Sequence, residues 1–277
     1  MTVARLAWSC GGEAIQIAAP AALEPALAAL FPDDRVAPST GAPQLEVREV
    51  GAVHRLIEVG PDGSTRTRVG GAPGAVLAAL ELALAERLAL SRPVLRTLHA
   101  GGVVGARGAL LLPGDGGSGK STLTVALARA GLRVLGDDAV LLHAESGVVH
   151  PFRRLLKLLP ASCRALALEA APGPLTDLWP DASFFHPGAL GTTWADPAPV
   201  AAVVFPRWDP AARGVALRPL AGGEVIKRLL AQLLLPPGGG AADFDLLARA
   251  VADARTGELR YGSAADAVPV LRALVEG

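Results

Sequence analysis

Short segments of strand length, in which apolar and polar positions are mixed, recur over residues 2–70. A short helix is predicted over residues 23–31, and Pro61-Asp62-Gly63 is typical of a hairpin turn. The predicted strands span residues 3–8, 13–18, 44–50, 53–59 and 65–69. The pattern therefore predicts a small β-rich region in this part of the chain.

Beyond residue 72, apolar runs of strand length alternate with helical patterns. Pro73 begins a helix predicted over residues 73–90, because the first helical turn needs no N–H from that residue. We predict a small α+β region over residues 1–92, an α/β domain over residues 93–277 and a linker at 236–240. The further strands predicted are 94–104, 109–112, 133–135, 140–143, 148–150, 200–205 and 258–261, and the further helices 122–130, 223–235, 243–254 and 264–275.

A glycine loop, residues 114–121, separates an apolar strand from a helix. Glycines let successive N–H groups turn inward around an anion, and the helix adds the positive end of its dipole. Lys120, one of three lysines in the chain, would reach the β- and γ-phosphates, and the Ser121 hydroxyl would bind Mg²⁺. The predicted nucleotide-binding residues are Gly114, Asp115, Gly116, Gly117, Ser118, Gly119, Lys120, Ser121 and Thr122.

Two adjacent carboxylates, Asp137 and Asp138, follow the next predicted strand. Parallel strands joined by one right-handed crossover lie close together in a sheet, so these carboxylates are expected near the bound phosphates. There they would hold Mg²⁺ or accept a proton from an attacking hydroxyl. The alternative is an exposed Gly-Asp-Asp turn without chemistry.

Three further segments carry residues suited to ligand contacts. Arg207 follows an apolar strand, at the edge where open α/β sheets bind their ligands. A basic cluster of Arg153, Arg154 and Lys157 would bind phosphate or an acidic substrate, or would form a solvated face. Residues 171–199 are predicted to be irregular, and their aromatic side chains would contact a peptide or a base, or would cover the core.

Composition narrows the classes of partner. The 277 residues carry a formal net charge of zero, so no basic excess favours nucleic acid. Cys10 and Cys163 form no metal-binding spacing, which fits a reducing compartment. No run approaches the roughly 18 apolar residues of a membrane span, and no leader pattern is present. We therefore expect a cytoplasmic protein without nucleic acid or membrane partners.

The order of Leu98-His99-Ala100, the glycine loop and Asp137-Asp138 resembles the C-terminal domain of HPr kinase/phosphorylase. It resembles still more the shorter HPr-kinase-related kinases found with peptide-modification genes. The resemblance extends over residues 95–158 and, more loosely, over residues 203–208. It implies a phosphoenolpyruvate-carboxykinase-like α/β fold, a P-loop variant whose sheet is flanked by helices.

By this resemblance the protein is a serine kinase that uses ATP and Mg²⁺ and phosphorylates a small protein or ribosomal peptide. Asp137 would be the general base, steered by His99, while Asp138 and Ser121 would hold the metal. Lys120 and Arg207 would stabilise the transferring phosphoryl group. The alternatives are a P-loop ATPase, a nucleotide-dependent binding module and a small-molecule kinase. Assembly into a homo-oligomer stays open.

Overall fold

The structure, a computed structural model, describes residues 2–10, 13–91, 95–169, 171–235 and 240–276. The chain divides into two compact units. One comprises Met1–Ser91 with Ala171–Ala182, and the other comprises Arg92–Ala170 with Ser183–Gly277. Both units contain strands and helices, so the predicted mixed α/β class is confirmed.

Strands outnumber helices in the described part of the chain. The strands are β1 Val3–Cys10, β2 Glu13–Pro20, β3 Arg35–Val36, β4 Leu45–Val50, β5 Val53–Val59, β6 Thr65–Gly71, β7 Leu95–Leu98, β8 Ala100–Gly105, β9 Gly108–Pro113, β10 Arg133–Gly136, β11 Val140–His143, β12 Val149–His150, β13 Leu156–Leu158, β14 Ser183–Phe185, β15 Val200–Trp208, β16 Val215–Pro219, β17 Leu233–Leu235 and β18 Arg255–Tyr261. The helices are α1 Glu24–Leu30, α2 Pro73–Ser91, α3 Lys120–Arg129, α4 Pro160–Leu166, α5 Pro174–Leu178, α6 Gly222–Leu230, α7 Ala241–Ala250 and α8 Ala264–Val275.

The first unit is built on a six-stranded sheet in the order β3-β1-β2-β4-β5-β6. β2 and β4 are parallel, and the other neighbouring strands are antiparallel. Helix α2 lies against β2, β5 and β6. The buried side chains of this unit include Leu6, Ile17, Leu45, Leu56 and Leu77. All five strands predicted for this region are present, and β3 is an addition that the pattern did not predict.

The second unit contains a six-stranded sheet in the order β10-β8-β9-β15-β18-β16. β9, β15 and β18 are parallel neighbours at its centre. Alternate residues of β9 enter two different cores, because successive side chains in a strand point to opposite faces. Leu110 and Leu112 pack with α3 and α8, whereas Ala109 and Leu111 pack with α6 and α7. Burial on both faces explains why β9 is a continuous apolar run.

One strand separates the two strands that the sequence placed close together. β10 runs parallel to β9, as expected, but β8 lies between them and is antiparallel to both. Gly101 in β8 lets α3 approach this sheet closely, since a Cβ there would collide with Thr124 Oγ1. The same Cβ would lie 3.5 Å from the Asp137 carbonyl oxygen. Close packing therefore brings the end of β10 to the helix that follows the glycine loop.

The prediction of a helix over residues 223–235 is wrong for the second half of that range. α6 ends at Leu230, and Leu233–Leu235 forms β17, which pairs with β7 in a four-stranded sheet of order β12-β11-β7-β17. A leucine-rich run has no clear period, so pairing with β7 decides its conformation. The predicted linker at 236–240 lies largely outside the described residues.

Residues 171–199 are more regular than predicted. They contain α5 and β14, and β14 pairs with β13, another strand that the pattern did not indicate. In the described part of the chain, no helix combines the length and apolar character needed to cross a bilayer.

The core on the α3 and α8 face should stabilise the second unit. Leu271→Ala empties a fully buried position on α8 and should cost about 2–5 kcal/mol in the free energy of unfolding. Arg272→Ala on the same helix removes only a surface ion pair with Glu276 and should leave the free energy of unfolding close to that of wild type. Urea denaturation followed by circular dichroism measures both. Equal losses would contradict this assignment of the core.

Candidate functional site

The glycine loop joins β9 to α3, and three of its glycines, Gly114, Gly117 and Gly119, adopt conformations that other residues rarely reach. Gly119, directly before α3, has φ +97°, and a Cβ there would collide with Tyr261 Oη. Tyr261 is buried and its hydroxyl donates to the Gly119 carbonyl oxygen at 3.4 Å. Burial raises the pKa of this hydroxyl, which keeps it a donor. Tyr261 therefore supports the loop where the helix begins.

Lys120 lies folded onto the same loop. The residue is 5% exposed, and its Nζ donates to the Asp115 carbonyl oxygen at 3.0 Å. Burial lowers the pKa of this ammonium, while the nearby carboxylates Asp138, Asp115 and Asp137 oppose that shift. A buried ammonium beside a glycine loop favours an anionic ligand, because an anion would replace the water that burial removes.

Ser118, also in the glycine loop, carries a buried hydroxyl. Its Oγ finds no hydrogen-bond partner among the described residues and faces Gly114, where a Cβ would lie 3.0 Å away. Buried polar atoms normally have a partner. The Ser118 hydroxyl is therefore a polar group that the loop encloses without giving it a partner.

The carboxylate of Asp115 has a partner outside the glycine loop. Gln232 Nε2 donates to Asp115 Oδ1 at 3.0 Å, and the Gln232 carbonyl oxygen accepts from the His99 N–H at 2.8 Å. One residue therefore ties the start of the loop to the strand end that bears His99. The sequence did not indicate Gln232, because it lies where a helix was predicted.

Asp137 is enclosed. Its side chain is 2% exposed; Oδ1 accepts from Arg154 Nη2 at 2.9 Å, and Oδ2 accepts from the Lys157 N–H at 3.2 Å. Burial raises the pKa of this carboxyl, and the Arg154 guanidinium opposes the rise. Arg154 is thus neither a solvated residue nor free to bind substrate, and the basic cluster divides between core and cavity.

Asp138, the next residue, is open to solvent. Its side chain is 54% exposed, and Oδ1 lies 3.5 Å from His99 Nδ1. The same His99 nitrogen lies 3.0 Å from the Asp138 carbonyl oxygen. The structure therefore brings together His99 and the outer of the two aspartates, while the inner one is held by Arg154.

A cavity of about 520 Å³ opens over the glycine loop. Such a volume is in the range of small-molecule and cofactor sites. Thr122 Oγ1 lies 2.7 Å from Ser162 Oγ beside it, and Ser121 Oγ donates to the Asp137 carbonyl oxygen at 3.4 Å. The lining residues are Gly116, Gly117, Gly119, Lys120, Ser121, Thr122, Asp138, Lys157, Leu158, Leu159, Ala161, Ser162, Ala165, Trp208, Tyr261, Gly262, Ser263 and Ala264.

Arg207 lies at the carboxyl end of β15, as the sequence predicted, but it does not line the cavity. Its side chain is exposed, and its register partner in β18 is Arg260, which forms an ion pair with Asp209. In the sheet, β15 and the aspartate-bearing end of β10 lie on opposite sides of β9. The structure therefore does not bring Arg207 to the aspartates.

Two of the cavity residues are oxygen donors of the kind that Mg²⁺ prefers, the Ser121 hydroxyl and the Asp138 carboxylate. The described residues contain no group of three or more histidine, cysteine, aspartate or glutamate side chains that could hold a metal ion. Mg²⁺ that arrives with a triphosphate needs only one or two protein ligands, because phosphate oxygens and waters complete its shell. The donor set therefore fits a nucleotide-borne Mg²⁺.

No protein-family model matches the chain, and no curated protein matches its sequence.

The Asp137–Arg154 pair gives a pH-dependent prediction. Arg154→Met should lower the free energy of unfolding by about 3–5 kcal/mol at neutral pH, because it leaves the Asp137 carboxylate buried without its partner. Burial raises the pKa of Asp137 above the ordinary 3.8, so the folded variant takes up a proton more readily than the unfolded chain does. The deficit relative to wild type should therefore be full above that raised pKa and shrink as the pH falls through it.

Urea denaturation at several pH values measures this deficit. Arg133→Met is the control, because its ion pair with Asp196 is exposed and is worth about 0–1 kcal/mol. A deficit for Arg154→Met that stayed constant with pH would mean that the Asp137 charge is not its source.

Alanine substitutions in the glycine loop separate strain from steric overlap. Gly119→Ala combines a positive φ with a collision against Tyr261 and should lose roughly 2 kcal/mol or more. Gly117→Ala has only the positive φ and should lose about 1–2 kcal/mol. Gly116→Ala has open space and ordinary φ, and should stay near wild type. Thermal melts of the three variants rank them, and a Gly119→Ala protein as stable as Gly116→Ala would contradict the loop geometry.

Proposed function

We propose that the protein is a Mg²⁺- and ATP-dependent kinase that transfers the γ-phosphoryl group to a serine hydroxyl of a small protein or peptide. The observation that carries the proposal is one cavity lined by a glycine loop, by the buried Lys120 and by the exposed Asp138 beside His99. The first two suit a triphosphate, and the third suits an acceptor that must lose a proton.

The triphosphate would lie in the glycine loop. The loop N–H groups and the α3 N-terminus attract its charge, and the Lys120 ammonium would leave the Asp115 carbonyl for the β- and γ-oxygens. Ser121 and Asp138 would hold Mg²⁺, which would neutralise charge that develops during transfer. A P-loop arrangement related to phosphoenolpyruvate carboxykinase and HPr kinase is part of this proposal.

We assign the proton acceptor to Asp138 rather than Asp137. The serine oxygen attacks the γ-phosphorus as the bond to the β-bridging oxygen breaks, ADP leaves, and the hydroxyl proton passes to a carboxylate. Asp137 has both carboxylate oxygens engaged by Arg154 and Lys157 inside the protein. Asp138 lines the cavity and has two oxygens, so metal contact and proton acceptance are compatible on one side chain.

His99 and Asp137 then act through Asp138. His99 lies against both the carbonyl and the carboxylate of Asp138, which fixes the direction of that side chain. Asp137 holds the turn after β10 against Arg154 and the Lys157 amide. Both are positioning residues in this assignment, and Gln232 links His99 to the loop.

Transfer of γ-labelled phosphate from Mg·ATP to polypeptide tests the proposal, with a cell extract or peptides encoded nearby as acceptors. Lys120→Ala should abolish transfer, because it removes the cation that meets the β- and γ-phosphates. Asp138→Asn should lower transfer by about 10²–10⁴-fold without loss of stability, since its side chain is exposed. Asp137→Asn should lower stability together with transfer, because it unpairs Arg154.

Each outcome of this experiment assigns the chemistry. Label on serine with wild type that vanishes in Lys120→Ala establishes the kinase. Free phosphate without labelled polypeptide would instead favour an ATPase or a small-molecule acceptor. A stable, inactive Asp137→Asn protein beside an active Asp138→Asn protein would return the proton-acceptor role to Asp137.

A further inference from the structure

We propose that the indole of Trp208 is the stacking platform for the base of the bound nucleotide. This inference rests on the proposed function and adds the part of the site that distinguishes a nucleotide from a bare polyphosphate. It follows from the order of strands around the glycine loop and from the contacts that hold Trp208.

The sheet gives the cavity two chemically different sides. The carboxyl end of β10, with Asp138, lies on one side of β9, and the carboxyl ends of β15 and β18 lie on the other. The γ-phosphate must face the proton acceptor and the metal-binding carboxylate. The ribose and base of a nucleotide in the loop therefore extend towards β15 and β18, where Trp208, Gly262 and Ser263 line the cavity.

Contacts of the loop itself agree with this direction. The start of the loop is tied to the His99 side, because the Asp115 carboxylate accepts from Gln232. The far end of the loop is held on the β15 side, because the backbone N–H of Trp208 donates to the Ser118 carbonyl oxygen at 3.2 Å. Trp208 thus lies beside the helix end of the loop and away from the carboxylate.

The indole of Trp208 is held by a hydrogen bond and is still partly exposed to solvent. Nε1 donates to the Gly262 carbonyl oxygen at 3.2 Å, and yet the residue is 52% exposed. A large aromatic side chain in this position leaves apolar surface in water that a planar base would cover. Because the ring is already oriented, little rotamer freedom is lost on binding.

Leu159 is another exposed apolar side chain of the same cavity, at 61%. It follows β13, whose Lys157 N–H donates to Asp137, so it lies on the carboxylate side. That side belongs to the acceptor, and a leucine offers no planar face. Trp208 is therefore the aromatic residue that the geometry assigns to the base.

Calorimetric titration of the full chain with Mg·ATP and with Mg·tripolyphosphate tests the assignment. Trp208→Ala should weaken ATP binding by roughly 5- to 150-fold, the range of one base–aromatic stack, and leave tripolyphosphate binding unchanged. Trp208→Phe should recover most of the ATP affinity. Phe244→Ala is the matched control, because Phe244 is a comparably exposed aromatic residue, 48%, outside the cavity lining.

The outcomes are distinguishable. Equal weakening of both ligands by Trp208→Ala would show that the indole supports the loop rather than the base. ATP affinity of Trp208→Ala that stays at the wild-type value would overturn the inference. Binding of tripolyphosphate but not ATP to wild type would refute both the base subsite and ATP as the phosphoryl donor. Binding of neither ligand to wild type would refute the proposed function itself.

Discussion

The buried ion pair between Asp137 and Arg154 is the constraint on which the arrangement of the second unit's cavity depends. Two charges removed from water are tolerable only with close geometry and with their other hydrogen-bonding positions occupied. Asp137 meets this condition through the guanidinium at 2.9 Å and the Lys157 amide at 3.2 Å. It thereby joins the end of β10 to the segment that leads into β13. Because Asp137 is held inside the protein, the backbone directs the next residue, Asp138, outward into the cavity.

Two identical side chains in adjacent positions thus acquire opposite environments, and this difference is invisible in the sequence. The spacing of Asp137 and Asp138 after a short strand indicated that carboxylates would emerge near the glycine loop. Which of them would be enclosed depends on Arg154, 17 positions later, and on the path of the chain between them. From the residues alone the basic segment 153–157 was equally consistent with a solvated face. Packing, rather than local pattern, separates Arg154 from its neighbours.

What the sequence predicts well in this protein is local. Strand, glycine loop and helix follow one another within about twenty residues, and their signals are glycine spacing, an apolar run and a helical period. The antiparallel β8 between β9 and β10, the strand β17 and the position of Gln232 depend on pairing between distant segments. A leucine-rich run such as 229–235 is compatible with helix or strand, so β7 decides where α6 stops. The hydrogen bonds that join Asp115 to Gln232 and Gln232 to His99 therefore depend on the tertiary fold and could not be predicted from local sequence.

The same difference between local and long-range information applies to the direction in which a ligand would lie in the cavity. A glycine loop favours an anion, but its own residues do not say from which side the rest of a ligand would enter. That direction follows from strand order, since β10 and β15 lie on opposite sides of β9 and carry different side chains at their carboxyl ends. Arg207 shows the consequence. Its position at a strand end suggested a role at the phosphoryl group, yet the strand order sets it across β9 from the aspartates. The local sequence predicts that Arg207 lies at the end of a strand. It does not predict which strands lie beside that strand in the sheet.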